Sequence, residues 1–354
     1  MWTMTEITLV LPFALPPPEL APDLIRALKT PALAALLSRT SSHQVHKANT
    51  ADDAARALPH ELWLARALGL SDGRTAPFAA AAMRGYGLDP AEGNWLIVNP
   101  AHIEIARTFL LMTDSRRLTL VESHSRALFD SARPYFDDSG HTLLYGDAMT
   151  WFMRADGWAA LDTASLDAAT GMNLTDWLPL GECASDYRKL QNEVQMLWHE
   201  HPANVEREAR GFATINAFWP WGAASALDVA SPASTLACVD APPWLAAIAQ
   251  QHAASFDAFD SHAKLLAGGR DGVSCVVCDG SLMEAALATD WALWLQQMQR
   301  LEHTMFTPLL GALGGGVSKA CLVLSHRDAL VEFTTTSLAQ RTFWRRPTLD
   351  RLLP

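Results

Sequence analysis

The segment from His201 to Gly222 concentrates side chains that are costly to bury and well suited to hold an anion. In order, its distinctive residues are His201, Pro202, Asn204, Arg207, Gly211, Asn216, Trp219, Trp221 and Gly222. Arginine offers a planar fork of N–H donors to a phosphate or carboxylate, and asparagine amides can orient the bound group. The candidate ligand-binding residues are therefore His201, Asn204, Arg207, Asn216, Trp219 and Trp221. The same residue types also tie down loop backbones and fill domain seams, and the sequence leaves both roles open.

The surrounding pattern predicts the elements that position this segment. Apolar residues recur at helical spacing from Ser185 onward, and Pro202 ends that helix. Residues 95–227 mix short strands, one of them at 118–121, with helices, whereas residues 38–53 lack periodicity and predict a surface loop. We therefore predict an α/β fold with a mostly parallel sheet flanked by helices, formed by residues 1–94 and 228–354. Residues 95–227 form an inserted α+β domain.

Composition excludes several classes of protein. The chain has 354 residues, 49% of them hydrophobic and only 18% charged, which is enough apolar material for a large core. Its net charge is −11, so we expect neither a nucleic acid nor an anionic membrane as partner. No apolar run has the length of a membrane-spanning helix. Five cysteines, an odd number, argue against a disulfide framework and predict a cytoplasmic protein.

Segment 201–222 closely resembles a pattern of the archaeal-type cofactor-independent phosphoglycerate mutases, a branch of the alkaline phosphatase superfamily. Weaker similarities occur at residues 30–33, 77–88 and 300–310. The chain looks most similar to the proteobacterial RpfE-type regulatory proteins of this group. The resemblance implies an alkaline-phosphatase-like fold. It also implies phosphoryl transfer by a serine nucleophile with two divalent metals that aspartate and histidine hold.

The residues that this chemistry needs are absent from the positions that the resemblance assigns to them. Residues 11–15 stand where the family has Asp-Gly-x-Gly-Asp and contain no carboxylate, and residues 57–61 resemble the nucleophile turn but contain no hydroxyl. The last Asp-His pair is replaced by Ser325-His326. We therefore expect no catalytic residue and no cofactor. A residual Mn or Zn site of Asp279, His303 and His326 is the alternative.

These observations predict a catalytically inactive relative of the phosphoglycerate mutases that acts in regulation. It would bind a small phosphorylated metabolite or a protein partner. One alternative is a metal-dependent phosphomutase or phosphatase with an altered metal site. A structural scaffold without a ligand is the other.

Two further motifs stand outside this hypothesis. Cys275 and Cys278 have the C-x-x-C spacing of redox sites, but in a β-like run they point to opposite faces and are expected to be buried as small hydrophobes. Near the C-terminus, arginines alternate with aromatic residues: Arg341, Phe343, Trp344, Arg345 and Arg346. We expect this cluster to pack against the protein's own carboxylates. It is also the best candidate in the sequence for contact with an anionic partner.

Overall fold

The computed structural model describes residues 5–47, 56–106, 109–226, 235–252, 274–313 and 315–353. The chain divides into two compact units. The sheet unit comprises Met1–Ala54, Pro59–Leu68 and Pro232–Pro354, and the inserted unit comprises Ala55–Leu58 and Gly69–Ser231. Within the described ranges, no helix combines the length and apolar character needed to traverse a bilayer.

Twelve strands are described, and their bounds are as follows. They are β1 Thr5–Leu11, β2 Ser42–Lys47, β3 Asn94–Ala101, β4 Ile103–Ala106, β5 Phe109–Met112, β6 Thr142–Tyr145, β7 Trp151–Arg154, β8 Ala217–Ser225, β9 Thr235–Val239, β10 Ser274–Asp279, β11 Val317–Ser325 and β12 Ala329–Thr336. The α-helices are Ala21–Ala27, Pro31–Ser38, Pro59–Ala67, Ala79–Gly85, Glu122–Asp138, Leu166–Ala169, Ala184–His199, Pro202–Ala209, Pro243–His252, Met283–Leu287, Trp291–Leu301, Thr307–Ala312 and Ser337–Gln340. A π-helical turn, Glu302–Phe306, joins the helices on either side of it.

The sheet unit is built on a six-stranded sheet in the order β2-β12-β11-β1-β10-β9. Strands β11, β1, β10 and β9 are parallel to one another. Strand β12 pairs with β11 in the antiparallel direction, and β2 pairs with β12 in the antiparallel direction. The four parallel strands therefore end at one edge, which we call the carboxyl edge. The predicted α/β fold with a mostly parallel sheet flanked by helices is confirmed.

Helices cover this sheet because alternate strand residues are apolar on each face. On one face, Leu9 of β1 belongs to the same buried cluster as Leu36 of Pro31–Ser38 and Met298 of Trp291–Leu301. Side chains that alternate with this cluster, such as Val10, Val276 and Val323, are also buried but stand outside it. Both sheet faces are therefore covered.

The inserted unit has its own antiparallel sheet, in the order β6-β7-β3-β8, and a separate hairpin of β4 and β5. Helices Glu122–Asp138 and Ala184–His199 pack together beside it. Trp151 contacts both Trp198 and Phe129 edge-on, with ring centroids 6.0 and 5.3 Å apart. Much of the tryptophan content is therefore core packing within this unit.

The observed units differ from the predicted domains at their boundaries. Residues 69–94, predicted to belong to the sheet domain, group with the inserted unit, because the helix Ala79–Gly85 packs against β3 and β8. The predicted loop at 38–53 was wrong over its central part, since β2 occupies Ser42–Lys47; residues 48–53 lie outside the described residues. Residues 118–121 do not form the predicted strand.

The C-x-x-C motif lies on β10 as a strand. Cys275 belongs to the buried cluster under one face, whereas Cys278 stands directly opposite Cys238 of β9 in the parallel register. Burial raises the pKa of the Cys238 thiol to about 12, and burial is also the main reason that the pKa of the Cys278 thiol lies well above its usual value. These thiols stay protonated at neutral pH, which makes them poor nucleophiles.

Thiol labelling tests this burial. In the native protein at pH 7.5, we expect the buried Cys275 and Cys278 to react with iodoacetamide at least tenfold more slowly than half-buried Cys183, because burial raises the pKa of both thiols. A thiol with a raised folded-state pKa stabilises the native state below about pH 8.5, the unfolded value. The free energy of unfolding should therefore fall as the pH rises from about 8.5 toward about 12.

Peptide mass spectrometry after timed labelling measures the labelling rate of each cysteine. Rapid labelling of Cys278 in the native protein would contradict the structure.

Candidate functional site

The carboxyl edge is where an open parallel sheet binds its ligand, at the point where the chain switches sides. Strand β1 lies at this point, between β10 and β11, which extend the sheet in opposite directions. Phe13 follows β1, whereas Asp279 and Ser325 are the last residues of β10 and β11 and are followed by Gly280 and His326. These residues form the candidate site of the sheet unit.

Phe13, Ser325 and His60 form a closed group at this edge. The Phe13 backbone has a φ of 59°, an unusual value for a bulky residue. Its N–H donates to Ser325 Oγ at 3.4 Å, and the same hydroxyl lies 3.2 Å from His60 Nδ1. The Phe13 ring contacts the His60 ring edge-on at 6.0 Å. Relative exposures of 4% for Phe13, 1% for Ser325 and 3% for His60 leave the hydroxyl out of reach of a substrate.

Helix Trp291–Leu301 holds this group from another side. The indole N–H of Trp294 donates to the Phe13 carbonyl at 2.9 Å, and the N–H of Leu15 donates to the Ser325 carbonyl at 3.1 Å. The Arg327 guanidinium stands 5.8 Å from the Phe13 ring centroid. The unusual backbone of Phe13 is therefore held by hydrogen bonds to both its N–H and its carbonyl group.

The residual metal candidates lie in different environments. Asp279 is fully buried, and its Oδ1 accepts the N–H of Ser281 at 2.9 Å, which closes the turn after β10. His326 is half-buried in the turn between β11 and β12, and burial is the main cause that lowers its pKa. His303 is exposed on the π-helical turn.

The residues present do not fit the two-metal centre that the resemblance implies. Among the described residues, no three His, Cys, Asp or Glu side chains are grouped closely enough to hold one ion. The β1 end presents the Phe13 ring in place of a carboxylate, and the Asp279 carboxylate is engaged by its own turn. Hard divalent cations need several oxygen ligands, which this edge does not assemble.

The candidate residues of segment 201–222 lie in the inserted unit, and their polar atoms bond within it, mostly to its backbone. His201 caps the helix Pro202–Ala209, because its Nδ1 accepts the N–H of Ala203 at 3.2 Å; burial lowers its pKa. Asn204 donates to the carbonyls of Trp198 and Ile215, both at 2.8 Å, and accepts the Ile215 N–H at 2.8 Å.

Arg207 has no exposed surface and donates to three carbonyl oxygens. Its Nε lies 2.9 Å from the oxygen of Ala213, its Nη1 lies 3.2 Å from that of Thr119, and its Nη2 lies 2.5 Å from that of Leu118. Burial lowers its pKa. The guanidinium thus fastens two loops to the helix Pro202–Ala209. Residues 118–121 do not form the predicted strand because Thr119 has a φ of 49°, outside the range of a strand.

The remaining candidates bond in the same way. Asn216 accepts the N–H of Ile103 and donates to its carbonyl, each at 2.8 Å, as a neighbouring strand would. The Trp219 indole donates to the Ala164 carbonyl at 2.8 Å, and the Trp221 indole donates to Asn99 Oδ1 at 2.6 Å.

The glycine of the pattern has a conformational role. Gly211 has a φ of 76° and follows the helix Pro202–Ala209, where the N–H of Phe212 returns to the Arg207 carbonyl at 2.9 Å. A left-handed residue at this position is the usual end of a helix. The left-handed Gly211 and the hydrogen bonds of the candidate residues match one of the two roles that the sequence left open, in which the segment ties down loop backbones. Anion binding by these residues stays a prediction.

Comparison with known proteins gives similarities of fold. No family model matches the chain, and no curated protein matches it. Among solved structures, the PH0037 protein from Pyrococcus horikoshii superposes with a TM-score of 0.58 at 13% identity, over 100% of this chain and 93% of that one. A cofactor-independent phosphoglycerate mutase from Thermoplasma acidophilum superposes with a TM-score of 0.47 at 15% identity, over 99% of this chain and 94% of that one. The similarity is one of fold alone.

Sequence reasoning missed the contact between His60 and Ser325. It found no hydroxyl at residues 57–61, whereas the structure brings Ser325 beside His60 from 265 positions away. The available signal was the strand pattern. Once β1 and β11 are paired in parallel, with Leu11 beside Leu324, Ser325 must lie at the carboxyl edge.

Proposed function

We propose that this protein is a non-catalytic relative of the phosphoglycerate mutases, which acts in regulation by binding a protein partner. The observation that carries the proposal is the closed carboxyl edge. The Ser325 hydroxyl is buried, lies within hydrogen-bond distance of His60 and accepts the N–H of buried Phe13. A phosphoryl acceptor must reach its substrate in line, and this hydroxyl has no open side for that approach.

The metal chemistry of the implied family supports the same proposal. Two divalent ions would activate the nucleophile and neutralise the phosphate when bound. In this chain, Asp279 closes its own turn, and His303 and His326 are not grouped with a third ligand in the described residues.

A second candidate function follows from the same hydroxyl. A serine beside an imidazole is the arrangement of an activated nucleophile. Catalysis by Ser325 would require its buried hydroxyl to become accessible, and the hydrogen bonds among Ser325, Phe13 and Trp294 hold this edge in its buried arrangement. A phosphomutase or phosphatase with an altered site is therefore the second candidate function.

Metal titration tests the proposal. Calorimetry of the full chain with Mn²⁺ and with Zn²⁺, each with and without 3-phosphoglycerate, should show no saturable micromolar site that depends on Asp279. The matched variants are Asp279→Asn at the edge and Asp137→Asn on an exposed helix end. Both should titrate as the native chain does. Two equivalents of metal, lost in Asp279→Asn alone, would overturn the proposal.

A further inference from the structure

The segment after β12 displays a basic and aromatic surface on the sheet unit. It begins with the short helix Ser337–Gln340 and carries three large apolar side chains in the solvent: Leu338 at 72%, Phe343 at 81% and Trp344 at 71% relative exposure. The Phe343 and Trp344 rings meet edge-on with centroids 5.2 Å apart. We call Leu338, Arg341, Phe343, Trp344, Arg345 and Arg346 the arginine-aromatic face.

The backbone under this face is held in place. Gln340 donates through its Nε2 to the carbonyls of Ala35 and Arg39, both at 3.3 Å. Arg345 donates to the Thr40 carbonyl at 3.4 Å, and its own carbonyl accepts Nε of Arg39 at 3.4 Å. The exposed rings therefore project from an ordered backbone, so binding costs little ordering entropy.

The charge of the face is opposite to that of the whole chain. Between residues 341 and 351 lie four arginines and one aspartate, 4 − 1 = +3, whereas the full chain carries −11. Among the residues that the structure describes, the expected packing against the protein's own carboxylates is not found. Within the described residues, the guanidinium groups of Arg341 and Arg346 make no hydrogen bond or ion pair, and both residues are exposed.

We propose that the arginine-aromatic face binds an acidic protein segment with apolar side chains between its carboxylates. Arginine and tryptophan are the residues that most often dominate protein interfaces, and exposed apolar clusters mark such surfaces. The inference rests on the proposed function, since it names the partner of a binding protein.

The charge distribution favours a short acidic segment over a long polyanion. Screening limits electrostatic interaction to about 8 Å at physiological ionic strength, so a short segment meets mainly the local arginines. A nucleic acid or an anionic bilayer extends beyond the face and meets a chain that is strongly negative as a whole.

Selection from a random twelve-residue peptide library on the immobilised full chain tests the proposal. The selected peptides should be rich in Asp and Glu around apolar residues, and raising the salt should weaken their binding. Fluorescence anisotropy should show at least tenfold weaker binding to Trp344→Ala and to the double variant Arg341→Glu with Arg346→Glu. The controls are Met196→Ala and Arg188→Glu, both exposed in the inserted unit, which should bind as the native chain does.

Other results would overturn the inference. These are selected peptides without acidic enrichment, equal binding by the face variants, or a dimer in light scattering that Trp344→Ala dissociates. Preferential binding of single-stranded DNA or phosphatidylserine vesicles through the same residues would also overturn it. All variants alter exposed side chains, and unchanged thermal unfolding confirms their folding. Phosphate-ester turnover is measured on the same preparations, so that the two proposals can be tested separately. Turnover would contradict the proposed function. Failed peptide binding without turnover would contradict only the binding role of the arginine-aromatic face.

Discussion

Replacing Arg207 with alanine is expected to lower the free energy of unfolding by about 3–5 kcal/mol. The side chain is fully buried and satisfies the carbonyls of Leu118, Thr119 and Ala213. Its removal leaves these carbonyl oxygens without a hydrogen-bond donor and creates a cavity that the closely packed core cannot fill. Arg207→Lys should recover only part of the loss, because one ammonium group cannot reach three acceptors in this arrangement.

Urea denaturation followed by tryptophan fluorescence measures this effect. The matched control is Arg210→Ala, one turn further along the chain, whose exposed side chain pairs with Glu206. That variant should lose no more than about 0.5 kcal/mol. Equal stability of Arg207→Ala and Arg210→Ala, with lost binding of a phosphorylated metabolite in Arg207→Ala alone, would assign Arg207 to a ligand instead.

Replacing Glu302 with alanine is expected to destabilise the sheet unit by about 3 kcal/mol. Its buried carboxylate accepts the N–H groups of Ala32 and Leu33 at 2.6 and 3.2 Å, at the start of the helix Pro31–Ser38. The carboxylate thus caps a helix distant in sequence and complements its dipole, while the Thr30 side chain makes no cap there.

The amide variant separates hydrogen bonding from charge at this cap. Glu302→Gln keeps one acceptor and should lose about half as much stability as Glu302→Ala. Glu19→Ala, at an exposed carboxylate, is the control and should stay within about 0.5 kcal/mol of the native chain. Circular dichroism during urea unfolding provides the measurement. A Glu302→Ala variant as stable as the control would show that the cap contributes little.

Local patterns allowed the sequence to predict the sheet and its helices. The apolar runs that became β1, β10 and β11 are buried on both faces, so their composition marks them clearly. Strand β2 was missed for the opposite reason. It lies at the sheet edge, pairs only with β12, and its described side chains are exposed, so it carries no apolar alternation.

The candidate site depended on distant contacts that spacing does not encode. Arg207 and Asn204 are the residue types of an anion site, yet their partners are carbonyl oxygens on loops that the sequence could not place. The approach of Ser325 to His60 likewise follows from strand register rather than from any motif. The sequence pattern therefore predicted the fold, whereas the hydrogen-bond partners of the candidate residues became known only from the structure.

Turnover of a phosphate ester tests the central claim most directly. The full chain is incubated with 3-phosphoglycerate, or with a chromogenic phosphate monoester, in the presence of Mn²⁺ or Zn²⁺, beside Ser325→Ala. The closed carboxyl edge predicts that neither protein converts either substrate above the rate of metal in buffer. Metal-dependent turnover by the native chain that Ser325→Ala abolishes would contradict it.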